Sequence, residues 1–381
     1  MSLLELFSGV NGDFVRVVLI LPISVLMWLL SLQLHEKRKR KSYALLAKVS
    51  LGFFSFNVFS FLSLLIISLA NLEATWLLNA LNAISNASFI VILFGFYRIH
   101  NKADLKIYMI FLAPVAISLV IGIFSVWAGS IIGMLLVLGI TYFHGKRIGR
   151  GKSIQIASGI FSATLVLYAV ANLIPAVSGG LSLVASLLAP AAFTVLFASL
   201  MDHSLLIMQS SYVSSITDPL TGLFNRRYFT RYITKCVERN VPVHVIFSDI
   251  DNFKKLNDTK GHKVGDDVLI QIANIFMEEV EGLGMAGRYG GEEMVALIQD
   301  RDVNMEELTE RLRSRIEQES IVTASIGYKL FESGYPPEIL IKLADEAMYS
   351  AKNTGKNKVV CHGSNSEMTI LSSEQLPAAN G

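Results

Sequence analysis

Two kinds of pattern divide the chain. Up to about residue 201, apolar residues run in blocks of about twenty, separated by short polar stretches. Beyond it, short β-branched runs alternate with segments whose apolar positions recur every three to four residues. A bilayer core takes about 20 apolar residues per helix. The first part therefore predicts seven spanning helices, over 15–34, 43–70, 76–97, 107–126, 128–143, 154–174 and 181–201. Residues 202–217 continue the last of them as a helix with one apolar stripe through Leu205, Met208 or Gln209, Tyr212 and Ile216. Such a stripe suits a dimer stalk or a plain connector, and is too short to establish a coiled coil.

The second part predicts helices over 225–239, 251–258, 264–281, 305–319 and 336–354, and strands over 243–250, 285–289, 294–298, 321–330 and 358–361. From residue 243 the order β-α-α-β-β-α-β-α-β is that of an α+β domain, with helices packed on a sheet that contains antiparallel pairs. The expected fold is thus an all-α seven-helix transmembrane bundle followed by an α+β domain. The divisions are 1–201, 202–217, 218–362 and a disordered tail over 363–381.

Charge sharpens this division. The chain carries +2 overall, but residues 1–201 hold 14 Lys/Arg against 5 Asp/Glu, and residues 202–381 hold 19 against 26. With 52% hydrophobic and 17% charged residues and a mean hydropathy of +0.50, a single soluble domain and a disordered chain are both excluded. An acidic second half does not suit a nucleic-acid binder. Loops 35–42, 98–106 and 144–153 are basic, through Lys37–Lys41, Arg98, Lys102, Lys106, Lys146, Arg147, Arg150 and Lys152, while the alternate loops hold no Lys or Arg. The positive-inside rule puts the basic loops and the second half in the cytoplasm and the N-terminus outside. No cleavable signal pattern precedes the first span. The outer loops are too short for a folded external domain, so any input acts within the bundle, at its rim or through its oligomeric state.

Asn79, Asn82 and Asn86 share one helical face, which suits interhelical hydrogen bonds or a ligand stripe. His35, His100, His144 and His203 fall at the basic ends of the spans. They read as polar interfacial residues, or as a metal or haem site. Cys236 and Cys361 match no metal spacing or disulfide framework.

The candidate chemistry lies in the second half. Asp249 and Asp251 end the first long strand, and on an extended strand they would share a side. Glu292 and Glu293 sit at a predicted hairpin tip after Gly290 and Gly291, glycines that allow positive φ and close approach of a ligand to the backbone. A hairpin paired beside the first strand brings Asp249 and the two glutamates together, and crowded carboxylates call for a cation. Hard oxygen ligands, few in number, imply Mg²⁺ or Mn²⁺ completed by water and substrate phosphates. Asn257 and Asp266 flank a Gly-rich loop. They are helix caps, or readers of a guanine edge, whose N1–H and N2–H pair suits a carboxylate. Lys254, Lys352 and Lys356 are surface lysines or phosphate partners.

Several ordered motifs then combine: Asp218-Pro-Leu-Thr-Gly-Leu-Phe-Asn-Arg-Arg227, Asp249-Ile-Asp-Asn-Phe-Lys-Lys-Leu-Asn-Asp258, Gly261-His262 with Gly265-Asp266, Arg288-Tyr-Gly-Gly-Glu-Glu293, Ser325-Ile-Gly327, Ala344-Asp345, Ala351-Lys352 and Gly355-Lys-Asn357. Over roughly residues 212–362 the chain resembles the GGDEF-domain diguanylate cyclases. The membrane half resembles no family we can assign.

The resemblance implies a palm-like, nucleotidyl-cyclase-like fold in the cytoplasm of a bacterium, held at the inner membrane by the multi-pass bundle. It implies a homodimer that condenses two GTP into cyclic di-GMP with release of diphosphate. By it, Asp249, the carbonyl of Ile250, Glu292 and Glu293 would bind metal, two ions per site. Glu292 would be the base with Glu293 beside it, and Lys254 would stabilise the transition state. Asn257, His262, Asp266, Gly290, Gly291, Lys352 and Lys356 would hold GTP.

Three positions depart from the family pattern. Met294 stands where Phe is usual. Lys356 stands where Arg is common and lacks its bidentate fork. Residues 281–284 read Glu-Gly-Leu-Gly in place of the Arg-x-x-Asp of the product-inhibition site, so no inhibitory site is expected. The alternative readings are a non-catalytic GTP-binding or protein-docking module, and a seven-helix transporter or receptor with an accessory tail. The input ligand is not legible.

Overall fold

A computed structural model describes residues 9–70, 72–102, 104–144, 151–300, 302–332, 334–363 and 368–371. The basic-loop residues Lys146, Arg147 and Arg150 lie outside them. The chain divides into two compact units, Met1–Met208 and Gln209–Gly381.

The first unit is helical. Its elements are α1 (Gly9–Arg38), α2 (Lys41–Ala70), α3 (Thr75–His100), α4 (Leu105–Phe124), α5 (Val126–His144), α6 (Gly151–Leu173) and α7 (Ser178–Ile216). Among the described residues these are seven helices long and apolar enough to cross a membrane. The seventh predicted span and the predicted connector form one continuous helix of 39 residues. No Gly or Pro interrupts residues 191–216, so nothing ends the helix at the polar Asp202-His203-Ser204.

The core of this unit is aromatic. Phe89 stacks on Phe161 with centroids 4.0 Å apart, and Phe193 meets both rings edge-on. Outward positions such as Leu69, Leu105 and Phe124 are apolar and largely exposed. Asn79 donates to the Ile123 carbonyl on α4, and Asn82 is bonded to α1, so both act between helices. Of the four histidines, His100 and His203 meet edge to face at 5.1 Å, and the Tyr43 hydroxyl lies 3.1 Å from His203 Nε2. His144 packs near Tyr97 and Phe111 instead. Among the described residues no three metal-ligating side chains converge.

The second unit is a sheet between two helical layers. In chain order it comprises β1 (Phe224–Asn225), α8 (Arg226–Glu238), β2 (His244–Ile250), α9 (Phe253–Lys260), α10 (His262–Glu279), β3 (Gly284–Arg288), β4 (Glu293–Ile298), α11 (Met305–Glu319), β5 (Ala324–Lys329), α12 (Pro337–Asn353), β6 (Val359–His362) and β7 (Met368–Leu371). The sheet order is β1-β3-β4-β2-β5-β6-β7, with β2 antiparallel to both neighbours. This is the predicted α+β architecture, including the hairpin beside the first strand.

Period-two alternation sorts the side chains. Ile246 and Ile250 of β2, with Met294, Ala296 and Ile298 of β4, join the core that includes Ile272, Phe276 and Leu312 of α10 and α11. Val245 and Phe247, with Val295 and Leu297, join the core under α8 and α12. Asp249 and Glu293 share the parity of this second set. Met294 is 1% exposed in the first core, and β4 forms in full with Met in this position.

Two edges differ from expectation. β1 was not expected; it pairs parallel with β3 through only two residues. The disordered tail expected over 363–381 is corrected at Met368–Leu371, which pairs antiparallel with β6. A β-branched and apolar run there meets the otherwise unpaired backbone groups of an edge strand. Residues 364–367 and 372–381 lie outside the described residues.

Candidate active site

Cross-strand register brings the carboxylates together. Asp249, next to last in β2, is the direct partner of Glu293, first in β4. Asp249 is 5% exposed. Burial, with Glu292 and Glu293 nearby, outweighs the pull of Lys352 and lifts its pKa to about 6. Burial also raises Glu293, and Asp345 and Glu292 raise it further, while Lys352 and Arg226 oppose this. Asp345 is raised too, by burial and then by Glu346. The region is therefore short of positive charge.

Lys352 supplies one. Its Nζ lies 2.6 Å from Asp249 Oδ1. The contact is a close ion pair, and Lys352 draws the Asp249 pKa down against its burial. Helix α12 delivers this lysine through close packing on β5. At Gly327 a Cβ would collide with backbone atoms of Ala344, Ala347 and Met348. Small residues at 344, 347 and 351, all buried, let the helix lie that low. Lys352, expected on phosphates, is thus on Asp249, and the Lys356 ammonium donates to Asn252 Oδ1 at 2.6 Å.

The hairpin tip spans Tyr289–Glu292, with Tyr289 N donating to Glu293 O at 2.9 Å. Gly290 and Gly291 allow positive φ, but neither adopts it. Gly290 lets the Glu293 carboxylate lie close against the backbone, and a Cβ there would push that carboxylate aside. The tip is braced by Arg288, whose Nε and Nη2 donate to the Gly291 carbonyl at 3.2 and 2.6 Å. Its Nη1 pairs with Asp218 Oδ1 at 2.9 Å, and that oxygen also accepts from the amide and hydroxyl of Thr221. These donors hold the Asp218 carboxyl below its usual range against the opposing effect of partial burial.

Asp251 does not join the carboxylate group. β2 ends at Ile250, and Asp251 accepts from Thr323 Oγ1 and Ser325 Oγ at 2.7 Å each and from Asn357 N at 3.0 Å. It latches the start of β5 to the loop after α12.

A second group gathers at the corner of α9 and α10. Asn257 and Gly265 are in such close contact that a Cβ at 265 would collide with the Asn257 amide oxygen. That oxygen is buried without a hydrogen-bond partner. His262 and Asp266, in the first turns of α10, are exposed, as is Lys254 on α9. The structure thus brings Asp249, Glu292, Glu293 and Lys352 together at the ends of the central strands β2 and β4, and Asn257, His262 and Asp266 at the helix corner.

Arg226 was not singled out from the sequence. It lies over the Tyr289 ring at 4.3 Å and is one of the charges acting on Glu293. Its position directly after Asn225, the N-cap of α8, was the available signal.

The donor set suits a hard divalent cation. The buried Asp249 oxygen already has an ammonium beside it as the stand-in cation. Among the described residues no three side chains form a ready-made cage.

Residues 215–358 match the family described as "Diguanylate cyclase, GGDEF domain". "Response regulator PleD" of Caulobacter vibrioides is 38% identical over 176 residues, covering 42% of this chain and 37% of that protein. "Probable diguanylate cyclase DgcT" of Escherichia coli is 40% identical over 157 residues, covering 38% of this chain and 35% of that protein. The chain therefore spans little more than a third of the length of these relatives. The crystal structure of the GGDEF domain of DgcB from Caulobacter crescentus in complex with c-di-GMP aligns at 27% identity and a TM-score of 0.37, covering 39% of this chain and 94% of that one.

Proposed function

With residues 215–358 forming a GGDEF domain, we propose that the chain is a membrane-bound diguanylate cyclase that joins two GTP into cyclic di-GMP and two diphosphates. The observation that carries this reading is the buried Asp249 opposite Glu293, with Glu292 and Lys352 alongside.

Asp249, the Ile250 carbonyl, Glu292 and Glu293 would hold Mg²⁺ or Mn²⁺, which neutralises phosphate charge when bound. In each half-reaction the 3′-oxygen of one GTP attacks the α-phosphorus of the other. The bond to the β-phosphate oxygen breaks, and diphosphate leaves with its electron pair. The hydroxyl proton passes to a carboxylate, for which Glu292 is placed at the tip and Glu293 beside it. Lys254 and Lys356 meet phosphate oxygens, and Lys352 exchanges Asp249 for phosphate when substrate enters. Asp266 accepts from the guanine N1–H and N2–H, and the unpartnered Asn257 oxygen supports reading of the same base. His262 lines the same corner.

One domain binds one GTP, so two must face each other, and a homodimer follows. We place α1–α7 in the bacterial inner membrane, with the basic loops and GGDEF domain in the cytoplasm and the N-terminus outside. The continuous α7 joins bundle to stalk, and its exposed Leu205, Met208 and Tyr212 suit pairing with a second copy. The test is cyclic di-GMP synthesis from GTP and Mg²⁺ by the full-length chain in membranes, compared with residues 202–381 alone. Product from the full chain, and activity of the fragment that rises steeply with its concentration, are expected. No cyclic product at any protein concentration would defeat the enzymatic reading.

A further inference from the structure

The turn after α12 is held in a conformation that side chains rarely adopt. Gly355, Lys356 and Asn357 follow one another at φ of 123°, 64° and 46°. The glycine closes the helix in the usual way, with Lys356 N donating to the Ala351 carbonyl at 3.0 Å in a Schellman bond. The two residues after it need a further reason. Among the described residues five non-glycines have positive φ, and three of them, Asn252, Lys356 and Asn357, meet here. A left-handed residue with a Cβ persists only where its surroundings over-determine it, and such residues gather at working sites.

The bonds of Asn357 name those surroundings. Its N–H donates to Asp251 Oδ2 at 3.0 Å. Its Oδ1 accepts from Arg313 Nη1 of α11, and its Nδ2 donates to Glu317 Oε1, both at 2.8 Å. Asp251 is 3% and Arg313 7% exposed. Each is fixed in turn, Asp251 by Thr323 and Ser325, and Arg313 by Glu310 and Glu317. One residue back along both segments, Lys356 Nζ donates to Asn252 Oδ1 at 2.6 Å. Asn252 is left-handed too and, although it is the N-cap of α9, its side chain makes no cap bond. Asp251 thus holds Asn357 while Asn252 holds Lys356. The acceptor for the ammonium is a neutral amide, which leaves the charge uncompensated for an incoming anion. A lysine has a flexible four-carbon stem and no fork, so its aim depends on the backbone that carries it.

We propose that Asn357 is a positioning residue: through Asp251 and Arg313 it fixes the left-handed turn that aims the Lys356 ammonium at a substrate phosphate. This rests on the reading above, in which Lys356 meets phosphate oxygens. Asn357 acts only through Lys356.

The test measures equilibrium binding to the full-length chain in detergent with Mg²⁺. The probes are the α,β-methylene analogue of GTP, which keeps a triphosphate but cannot be cleaved at the α-phosphorus, and guanosine, which has no phosphate. Asn357→Ala should weaken binding of the analogue ~10–100-fold, the loss expected for a bond to a charged group, and leave guanosine binding unchanged. A residue that served folding alone would weaken both. Asn357→Gly keeps the left-handed backbone without strain and removes the amide, so it guards against misfolding and should show the same split. A double mutant decides the route. In a Lys356→Ala background, Asn357→Ala should weaken the analogue no further, since effects that run through one group do not add. The proposal fails if analogue and guanosine weaken together, if both Asn357 variants bind the analogue like wild type, or if the two substitutions add. A wild-type chain that binds no analogue overturns the underlying reading and this one with it, so the two failures are distinct.

Discussion

Asp249 and Glu293 face each other across neighbouring antiparallel strands, two acids in direct register at the ends of the central strands. Like charges so placed destabilise a strand pair unless something offsets them. Here Lys352, 103 positions along the chain from Asp249, offsets them in part. A pair kept at such cost points to chemistry that needs both acids.

The raised pKa of Asp249 predicts a pH dependence. An acid near 3.8 when unfolded and near 6 when folded keeps its proton longer in the native state. Its contribution to stability is therefore full below about pH 4 and is lost as pH rises through 6, by up to about 3 kcal/mol. Melting of metal-free full-length protein from pH 4 to 7 should fall relative to Asp249→Asn over that window. Parallel curves for the two proteins would show that Asp249 titrates normally.

Glu292→Ala should reduce cyclic di-GMP synthesis at least ~100-fold, the scale of a lost general base, with the melting midpoint of the chain unchanged. The residue sits in the tip outside the strand ladder, so folding does not depend on its side chain. Turnover at the wild-type rate would remove it from the mechanism.

Gly265→Ala should act on substrate binding. The added methyl collides with the Asn257 amide and crowds the Phe253 ring at 3.2 Å, so Asn257 must move. KM for GTP should rise about 10-fold or more while kcat changes less, and preference for GTP over ATP should shrink. A shift of one hydrogen bond's worth, about 0.5–1.5 kcal/mol, sets the lower end of this effect. Unchanged selectivity would separate Asn257 from base reading.

Arg288→Ala removes the link between Asp218 and the Gly291 carbonyl. Loss of charge-assisted bonds at a half-buried site should destabilise the domain by about 1–3 kcal/mol and loosen the tip, lowering both the melting midpoint and kcat. Arg288→Lys, which keeps the charge but not the fork, should recover stability more than activity. Equal recovery of both would argue that the brace serves folding alone.

How much of this was legible follows from the range of each signal. Helices and strands of the second unit fall within a few residues of their predicted ends, because periodicity is local. The β3–β4 pairing was legible as well, since a Gly-Gly turn between two apolar runs specifies a hairpin. The two-residue β1 and the four-residue β7 carry too few residues to show a period. The Asp218–Arg288 brace joins residues 70 positions apart, and Asp251 engages partners 72 to 106 positions away. No window along the chain contains such contacts. Lys352 was identified as a candidate, but its partner depended on how low α12 sits at Gly327, a packing fact.

The contact between Lys352 and Asp249 has one more implication. A nucleotide-processing centre crowded with acids would ordinarily lean on dissolved magnesium merely to hold its shape. On the function proposed above, an internal counter-ion carried on a helix anchored to the sheet should keep the fold assembled when the ion is scarce, so that supply of the metal would govern turnover and leave the scaffold intact.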